Sequence, residues 1–382
     1  MRRFWLGAVC FAMAWPSWAQ WPAAPEVATR SHVLMDVSAA QVLSEYRADE
    51  PVEPASLTKL MTAYVVFDAL RAQKLSVQQA LSVSERASKM PGSRMFIDPT
   101  MKVPVDDLLK GMLVLSANDA TVALAEGLSG TVERFVELMN QQAKVLGLTA
   151  TTFKNPEGLV EPGQVTTARD LATLGQALLR DFPDRQAYFS IKKYRYAGTP
   201  AANDTNRNLL LFRDPSVDGL QTAYTQASGH GMLASAQRDV PGLKSRRMLA
   251  VVLGAANENV RAQEAQKLLN WGYTAFDAVK LFDANQPVTQ VPVWKGRAGQ
   301  VSIGRPEPLV VAVPVGQAAK LRSELARPDP LVAPLVKGQS VARMKIYVGE
   351  QLLAEKPLLA LQTVDESGVI GRAWDAVRLW IK

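Results

Sequence analysis

The sequence predicts an α/β fold in which a helical region is inserted into an antiparallel sheet, followed by a small all-β domain and an amphipathic tail helix. Three observations predict it. Strand candidates stand on both sides of a long helical block, and the composition turns to proline, valine and glycine from about residue 278. Residues 369–382 then return to a helical period with their apolar members in one arc. At 382 residues the chain is too long for one ordinary domain.

Residues 1–19 read as a secretory signal. Arg2 and Arg3 form a basic start, Phe4 to Trp15 an apolar run, and Ser17-Trp18-Ala19 places small residues where a signal peptidase reads, with cleavage expected after Ala19. The only cysteine, Cys10, lies inside that segment, so the mature chain is expected to form no disulfide although its compartment permits one. Val9 is not the small residue a lipoprotein signal carries before its cysteine. Removing Arg2 and Arg3 lowers the formal net charge from +7 to +5, which suits an anionic surface or simple solubility. No arginine-rich run or aromatic-basic interleaving argues for nucleic acid. His32 and His230 are the only histidines, and neither has metal-ligand spacing nor the setting of a Ser-His-Asp triad. No metal and no cofactor are expected, and a hydrolase built on this chain needs a base other than histidine.

Residues 20–30, rich in proline and alanine, form an entry linker. Val33–Val37 and Gln41–Tyr46 alternate as a hairpin, and a helix opens near Ser56 with Leu60, Met61, Tyr64, Val65 and Phe67 apolar nearly all round. Pro104, Asp106 and Asp107 start a helix that runs to Leu115 and breaks at Ser116-Ala117-Asn118-Asp119 before resuming over Ala120–Leu128. Thr131 caps a helix that Gly147 stops, and Thr167-x-x-Asp170 has the form of a capping box. Strands are expected over Ser216–Tyr224, His230–Ala236 and Arg247–Gly254, then a helix over about Asn259–Trp271. Residues 31–277 thus form one domain. Residues 278–367 form the β domain, with strands near Val288–Trp294, Gln300–Ile303, Leu309–Val313 and Met344–Val348. In the tail, 368–382, Ile370, Ala373, Trp374, Val377, Trp380 and Ile381 oppose Arg372, Asp375, Arg378 and Lys382, the pattern of a helix lying in a membrane interface and too short to span it.

Ser56 and Lys59 lie one helical turn apart at the mouth of an apolar helix. Desolvation and the positive end of the helix dipole both disfavour an ammonium there, so a neutral Lys59 can take the proton of Ser56. Alone, Ser-x-x-Lys is a common accident. Its weight comes from two further stretches in order, Ser116-Ala117-Asn118 and Gln221-Thr222-Ala223.

With these three stretches the chain resembles the serine-type D-alanyl-D-alanine carboxypeptidases, the low-molecular-mass penicillin-binding proteins, whose motifs are Ser-x-x-Lys, Ser-x-Asn and Lys-Thr-Gly. Pro54–Thr62, Leu108–Gly127, Phe153–Leu159, Thr166–Asp170 and Asn206-Arg207-Asn208 carry the resemblance beyond the motifs. It implies a penicillin-binding/β-lactamase-like catalytic domain and an exported protein on the outer face of the inner membrane, held there by its tail. Its substrate would be a peptidoglycan stem pentapeptide, and β-lactam antibiotics would be covalent inhibitors. Carried over, Ser56 attacks the carbonyl between the terminal D-alanines, Lys59 accepts its proton and Ser116 relays one to the leaving amine. Asn118 holds the substrate backbone, and the N–H groups of Ser56 and Tyr224 form the oxyanion hole. Thr222, with Gln221 and Arg207 nearby, binds the terminal carboxylate. A surface ion pair of Arg207 with Asp214 is the alternative for that residue.

Gln221 and Ala223 depart from the family's lysine and glycine. A neutral donor contributes about 1 kcal/mol where a charge-assisted one contributes roughly 1.5–3, a difference whose upper part is worth ~10- to 30-fold in acylation rate. A missing cation should also leave Lys59 more protonated, shifting the optimum to alkaline pH. The runner-up is therefore an impaired relative that binds peptidoglycan or a partner without turnover. A β-lactamase ranks third, for want of an assignable deacylating glutamate.

Overall fold

The computed structural model describes residues 21–381, so the expected signal segment and its cleavage point lie outside the described residues. The chain divides into two units, residues 24–281 with 309–312, and residues 282–308 with the chain from Val313 onward.

In the first unit, β1 (Ser31–Asp36) and β2 (Gln41–Tyr46) form the expected hairpin. Helix α1 (Thr58–Arg71) follows, buried over most of its surface. A small ribbon of β3 (Ala80–Ser82) and β4 (Lys102–Pro104) brackets the short α2 (Glu85–Ser88). Helices α3 (Val105–Val114), α4 (Asn118–Ser129), α5 (Val132–Val145), α6 (Ala168–Asp181) and α7 (Leu210–Arg213) complete the insert. The chain then returns to the sheet as β5 (Val217–Thr225), β6 (Gly229–Val240) and β7 (Leu243–Ala255), and closes with α8 (Glu258–Ala275) and β8 (Phe276–Phe282).

The five-stranded sheet has the order β2-β1-β7-β6-β5, antiparallel throughout, with β5 at its edge. Its central strands read as continuous apolar runs because both faces are covered. On β7, Leu249, Val251 and Leu253 enter the core under the helical insert, while Met248, Ala250 and Val252 enter the core under α8. Arg246 and Asp36, both buried, join β7 to β1 through a 2.9 Å ion pair.

The helix caps follow the expected residues with one difference. Thr131 Oγ1 accepts from Arg134 N, and Thr167 Oγ1 from Asp170 N. Asp170 does not complete its capping box, because its carboxylate is taken by Ala150 N and Thr151 Oγ1.

The second unit carries β9 (Pro287–Pro292), β10 (Gln300–Gly304), β12 (Leu321–Ala326), β13 (Ser340–Val348) and β14 (Gln351–Ala360) in the order β12-β13-β14-β10-β9. Strands β12 and β14 escape the sequence pattern. Leu-Arg-Ser-Glu-Leu-Ala has neither β-branched nor aromatic residues, and β14 contains Pro357 in a leucine-rich run. The expected strand Leu309–Val313 is β11 (Leu309–Pro314), but it pairs with β8 and not within the β domain's sheet. Val310 and Ala312 fill the core under α8, and Ala312 N donates to Gln41 Oε1.

Helix α9 (Val369–Ile381) matches the expected tail. Asp375, on its polar side, accepts from Lys295 N at 2.7 Å, while Ile370, Trp374 and Trp380 are 88, 64 and 89% exposed. No helix among the described residues is long and apolar enough to cross a membrane.

Candidate active site

The stretch that opens α1 begins with one tight turn. Ala55–Leu57 form a 3-10 helix that runs into α1 at Thr58, and Ala55 takes a positive φ of 47°. The turn leaves Ser56 half-buried at the surface of a cleft while Lys59, on the first turn of α1, is fully buried. Their three-residue spacing puts Lys59 Nζ 3.3 Å from Ser56 Oγ.

Lys59 Nζ has two shorter contacts, 2.8 Å to Asn118 Oδ1 and 2.6 Å to the carbonyl oxygen of Glu157. Burial pushes its pKa down to about 7; Glu157 opposes the fall, Arg207 adds to it and Asp119 opposes it. For want of a lysine at 221, Lys59 is expected to be the more protonated. Burial is nevertheless the first cause of its low value and needs no cation at 221.

Asn118 opens α4. Its Nδ2 donates to Pro91 O at 2.7 Å, and since a proline carbonyl only accepts, the amide orientation is settled with Oδ1 on Lys59. One Nδ2 hydrogen is left for a ligand. Ser116, in the break between α3 and α4, has φ +57°, is buried, and its Oγ has no hydrogen-bond partner among the described residues. A strained backbone and an unsatisfied hydroxyl together mark a residue held for use.

Edge strand β5 supplies the opposite wall. Thr222 and Ala223 are buried in it, and Tyr224, 59% exposed, stacks on His230 with ring centroids 4.4 Å apart. Gln221 is buried; its Oε1 accepts from Thr222 N at 2.9 Å and its Nε2 has no partner among the described residues. A cavity of about 560 Å³ is lined by Ser56, Ser116, Asn118, Arg207, Thr222 and Tyr224 among others. Lys59 lies behind Ser56, and Gln221 stands outside the lining. Arg207 is exposed and does not pair with Asp214, which is held by Arg238 and Ser216.

Several contributors are invisible to motif reasoning. Arg261 of α8 is buried in the cavity wall, donating to the carbonyls of Ala223 and Arg207 at 3.3 and 3.2 Å, with burial lowering its guanidinium to about 10. Its only signal is a basic residue between Val260 and Ala262 on a helix expected to pack. Asp119 accepts from the backbone N–H groups of Met95, Phe96 and Ile97, fixing the loop whose Gly92 and Ser93 line the cavity. Gly158 has φ +88°, and a Cβ there would lie 1.9 Å from Ala55 O. Only glycine lets this loop approach closely enough to put the Glu157 carbonyl on Lys59.

A family model described as D-alanyl-D-alanine carboxypeptidase matches residues 19–257, and one for the C-terminal domain of penicillin-binding protein 5 matches residues 276–366. D-alanyl-D-alanine carboxypeptidase DacC of Escherichia coli (strain K12) is 38% identical, over 93% of this chain and 89% of its own length. The crystal structure of penicillin binding protein 5 from Haemophilus influenzae superposes with a TM-score of 0.82 at 33% identity, covering 90% of this chain and 100% of that one. Penicillin-binding protein D2 from Listeria monocytogenes in its ampicillin-bound form superposes with a TM-score of 0.59 at 28% identity, over 66% of this chain and 100% of its own. With Ser56, Lys59, Ser116 and Asn118 gathered at one cavity, and with relatives matched over nearly their whole length, the chain belongs to the D-alanyl-D-alanine carboxypeptidase family of serine peptidases.

Proposed function

We propose that this chain removes the terminal D-alanine from peptidoglycan stem pentapeptides through an acyl-enzyme on Ser56. One observation carries the reading. Of the three groups around Lys59 Nζ, Asn118 Oδ1 and the Glu157 carbonyl can only accept. A neutral amine spends its two N–H bonds on them and is left with a lone pair facing Ser56 Oγ. These contacts orient the base, while burial lowers its pKa to about 7.

Ser56 Oγ attacks the carbonyl between the two D-alanines as its proton passes to Lys59. The N–H groups of Ser56 and Tyr224 take the oxyanion, which exists only in the tetrahedral state. Ser116 passes a proton from Lys59 to the leaving amine, a task for a hydroxyl that both donates and accepts. The free Nδ2 hydrogen of Asn118 holds a carbonyl of the substrate backbone. Thr222 and Arg207 bind the terminal carboxylate, and Arg261, buried and hydrogen-bonded to the carbonyls of Ala223 and Arg207, supplies a second cation beside it. Gln221, buried outside the cavity lining, places no cation where the family has one, so turnover is weakened and not abolished. β-Lactams acylate the same serine.

Residues 1–19 direct export and α9 holds the protein at the outer face of the inner membrane. The exposure of Ile370, Trp374 and Trp380, with Asp375 turned to Lys295, supports that orientation. Deleting residues 369–382 should move the protein out of the membrane fraction; retention there would refute the anchor.

The second reading, a binder without turnover, draws on Gln221, which brings no charge and whose Nε2 has no partner among the described residues. Labelled penicillin followed by an assay for D-alanine release from a pentapeptide separates the two. An adduct with release supports the enzyme, and an adduct without release supports the binder.

A further inference from the structure

Acylation leaves two carboxyl residues of the cavity lining unused, exposed Glu258 at the start of α8 and buried Glu157, whose own carbonyl touches Lys59. Glu157 lines the cavity, is 6% exposed, and its Oε2 has no hydrogen-bond partner among the described residues. Its own carbonyl accepts from Lys59 Nζ at 2.6 Å, so the side chain starts next to the Ser56–Lys59 pair, yet no carboxylate oxygen comes within 4.0 Å of Nζ. The group is not the partner of an ion pair.

The loop that carries it is built to keep it there. Asn155 Oδ1 accepts from Gly158 N at 2.7 Å, and Gln164 Oε1 accepts from Lys154 N and Asn155 N. Thr62 Oγ1 donates to Pro156 O at 2.7 Å, tying the loop to α1. Gly158 packs on Ala55 O without room for a side chain. The carboxyl group takes a backbone hydrogen bond from its own residue but leaves Oε2 buried without a partner among the described residues, which is costly, and a loop this constrained could not easily turn it out to solvent.

The hydrolytic half of the reaction needs a base that a water in the cavity can reach. Lys59 is fully buried behind Ser56, Asn118 and the Glu157 carbonyl, and its lone pair points at Ser56 Oγ, which in the acyl-enzyme carries the acyl group. Glu157 is a lining residue of the cavity, and its Oε2, buried and without a partner among the described residues, is left to hold a water there. We propose that the Glu157 carboxylate is the general base of deacylation, activating the water that frees the acyl group from Ser56. The inference rests on the carboxypeptidase reading above.

The step balances without another reactant. Water oxygen bonds to the ester carbonyl carbon as its proton passes to Glu157. The bond from that carbon to Ser56 Oγ then breaks, and the proton returns to Oγ. The charged groups acting on Glu157 are Lys59 from α1, Arg86 from α2, itself paired with Glu133 of α5, and Glu161 of its own loop. Burial is the largest influence and raises the carboxyl pKa, which the backbone N–H of Glu157 and the Lys59 charge oppose.

The test uses the full chain and its Glu157→Gln variant, with a fluorescent penicillin and a stem pentapeptide, on the alkaline plateau of acylation. The variant should still form the Ser56 adduct, its rate of formation being measured separately from its loss, and lose the adduct ~10²-fold more slowly. With pentapeptide it should release one D-alanine per chain and then stall. Glu157→Asp should recover part of the release rate. Adduct decay in Glu157→Gln as fast as in the unmodified chain overturns the assignment of Glu157 alone, whereas an unmodified chain that forms no adduct at Ser56 overturns the underlying reading.

Discussion

Asn118 Oδ1 accepts from Lys59 Nζ at 2.8 Å while Asn118 Nδ2 donates to Pro91 O at 2.7 Å, so one amide both aims the base and pins the loop at the cavity's rim. Asn118→Asp keeps the shape and places a carboxylate against Nζ, which raises the Lys59 pKa and holds it as ammonium. Penicillin acylation followed by stopped flow should fall ~10²-fold or more, and more steeply for Asp than for Ala. Equal losses for the two substitutions would mean that charge at Lys59 is not the controlling quantity.

The pH dependence follows from the same amine. Neutral Lys59 is the reactive form, so the acylation rate should rise with pH through about 7 and level above it. Burial places that limb near neutrality even without a cation at 221. Lys59→Arg, which cannot lose its proton, should abolish acylation at every pH. An acid limb near the ordinary lysine value would show that Lys59 is not desolvated.

Gly158→Ala tests the backbone approach. The methyl group meets Ala55 O at 1.9 Å in a conformation, φ +88°, that alanine rarely adopts. Destabilisation of about 2–4 kcal/mol in chemical denaturation is expected, with loss of acylation as the Glu157 carbonyl withdraws from Lys59. An unchanged denaturation midpoint would remove the close approach from the description.

Gln221→Lys combined with Ala223→Gly restores a charged donor and an open strand. Acylation should accelerate ~10- to 30-fold. The gain has a local opponent, because Gln221 Oε1 now accepts from Thr222 N, and lysine cannot. No acceleration in the double variant would mean that the departure at 221 is already compensated, with buried Arg261 the nearest candidate.

The three-residue spacing fixes the proximity of Ser56 and Lys59, but their weight as a candidate site, like that of Ser116 and Asn118 in the break between α3 and α4, came from the three stretches occurring together and from the family resemblance they carry. The contributors that stayed hidden act through groups every residue has, or through burial. The Glu157 carbonyl, the Asp119 carboxylate on three backbone N–H groups, and Arg261 among carbonyls depend on which loops meet in space. Fold-level misses have the same origin. β11 reads as a strand from its valines, but nothing in Leu309–Pro314 states that its partner is β8. β14, with Pro357 in its middle, is a strand by pairing and not by propensity.

The most direct measurement is intact-protein mass spectrometry after penicillin treatment, with peptide mapping, alongside D-alanine release from a pentapeptide by the unmodified chain, Ser56→Ala and Lys59→Ala. A single adduct on Ser56, absent from both variants, with D-alanine released only by the unmodified chain, is the expected result. An adduct on another residue, or an adduct on Ser56 that survives Lys59→Ala unchanged, would contradict the pairing of nucleophile and buried base on which the mechanism stands.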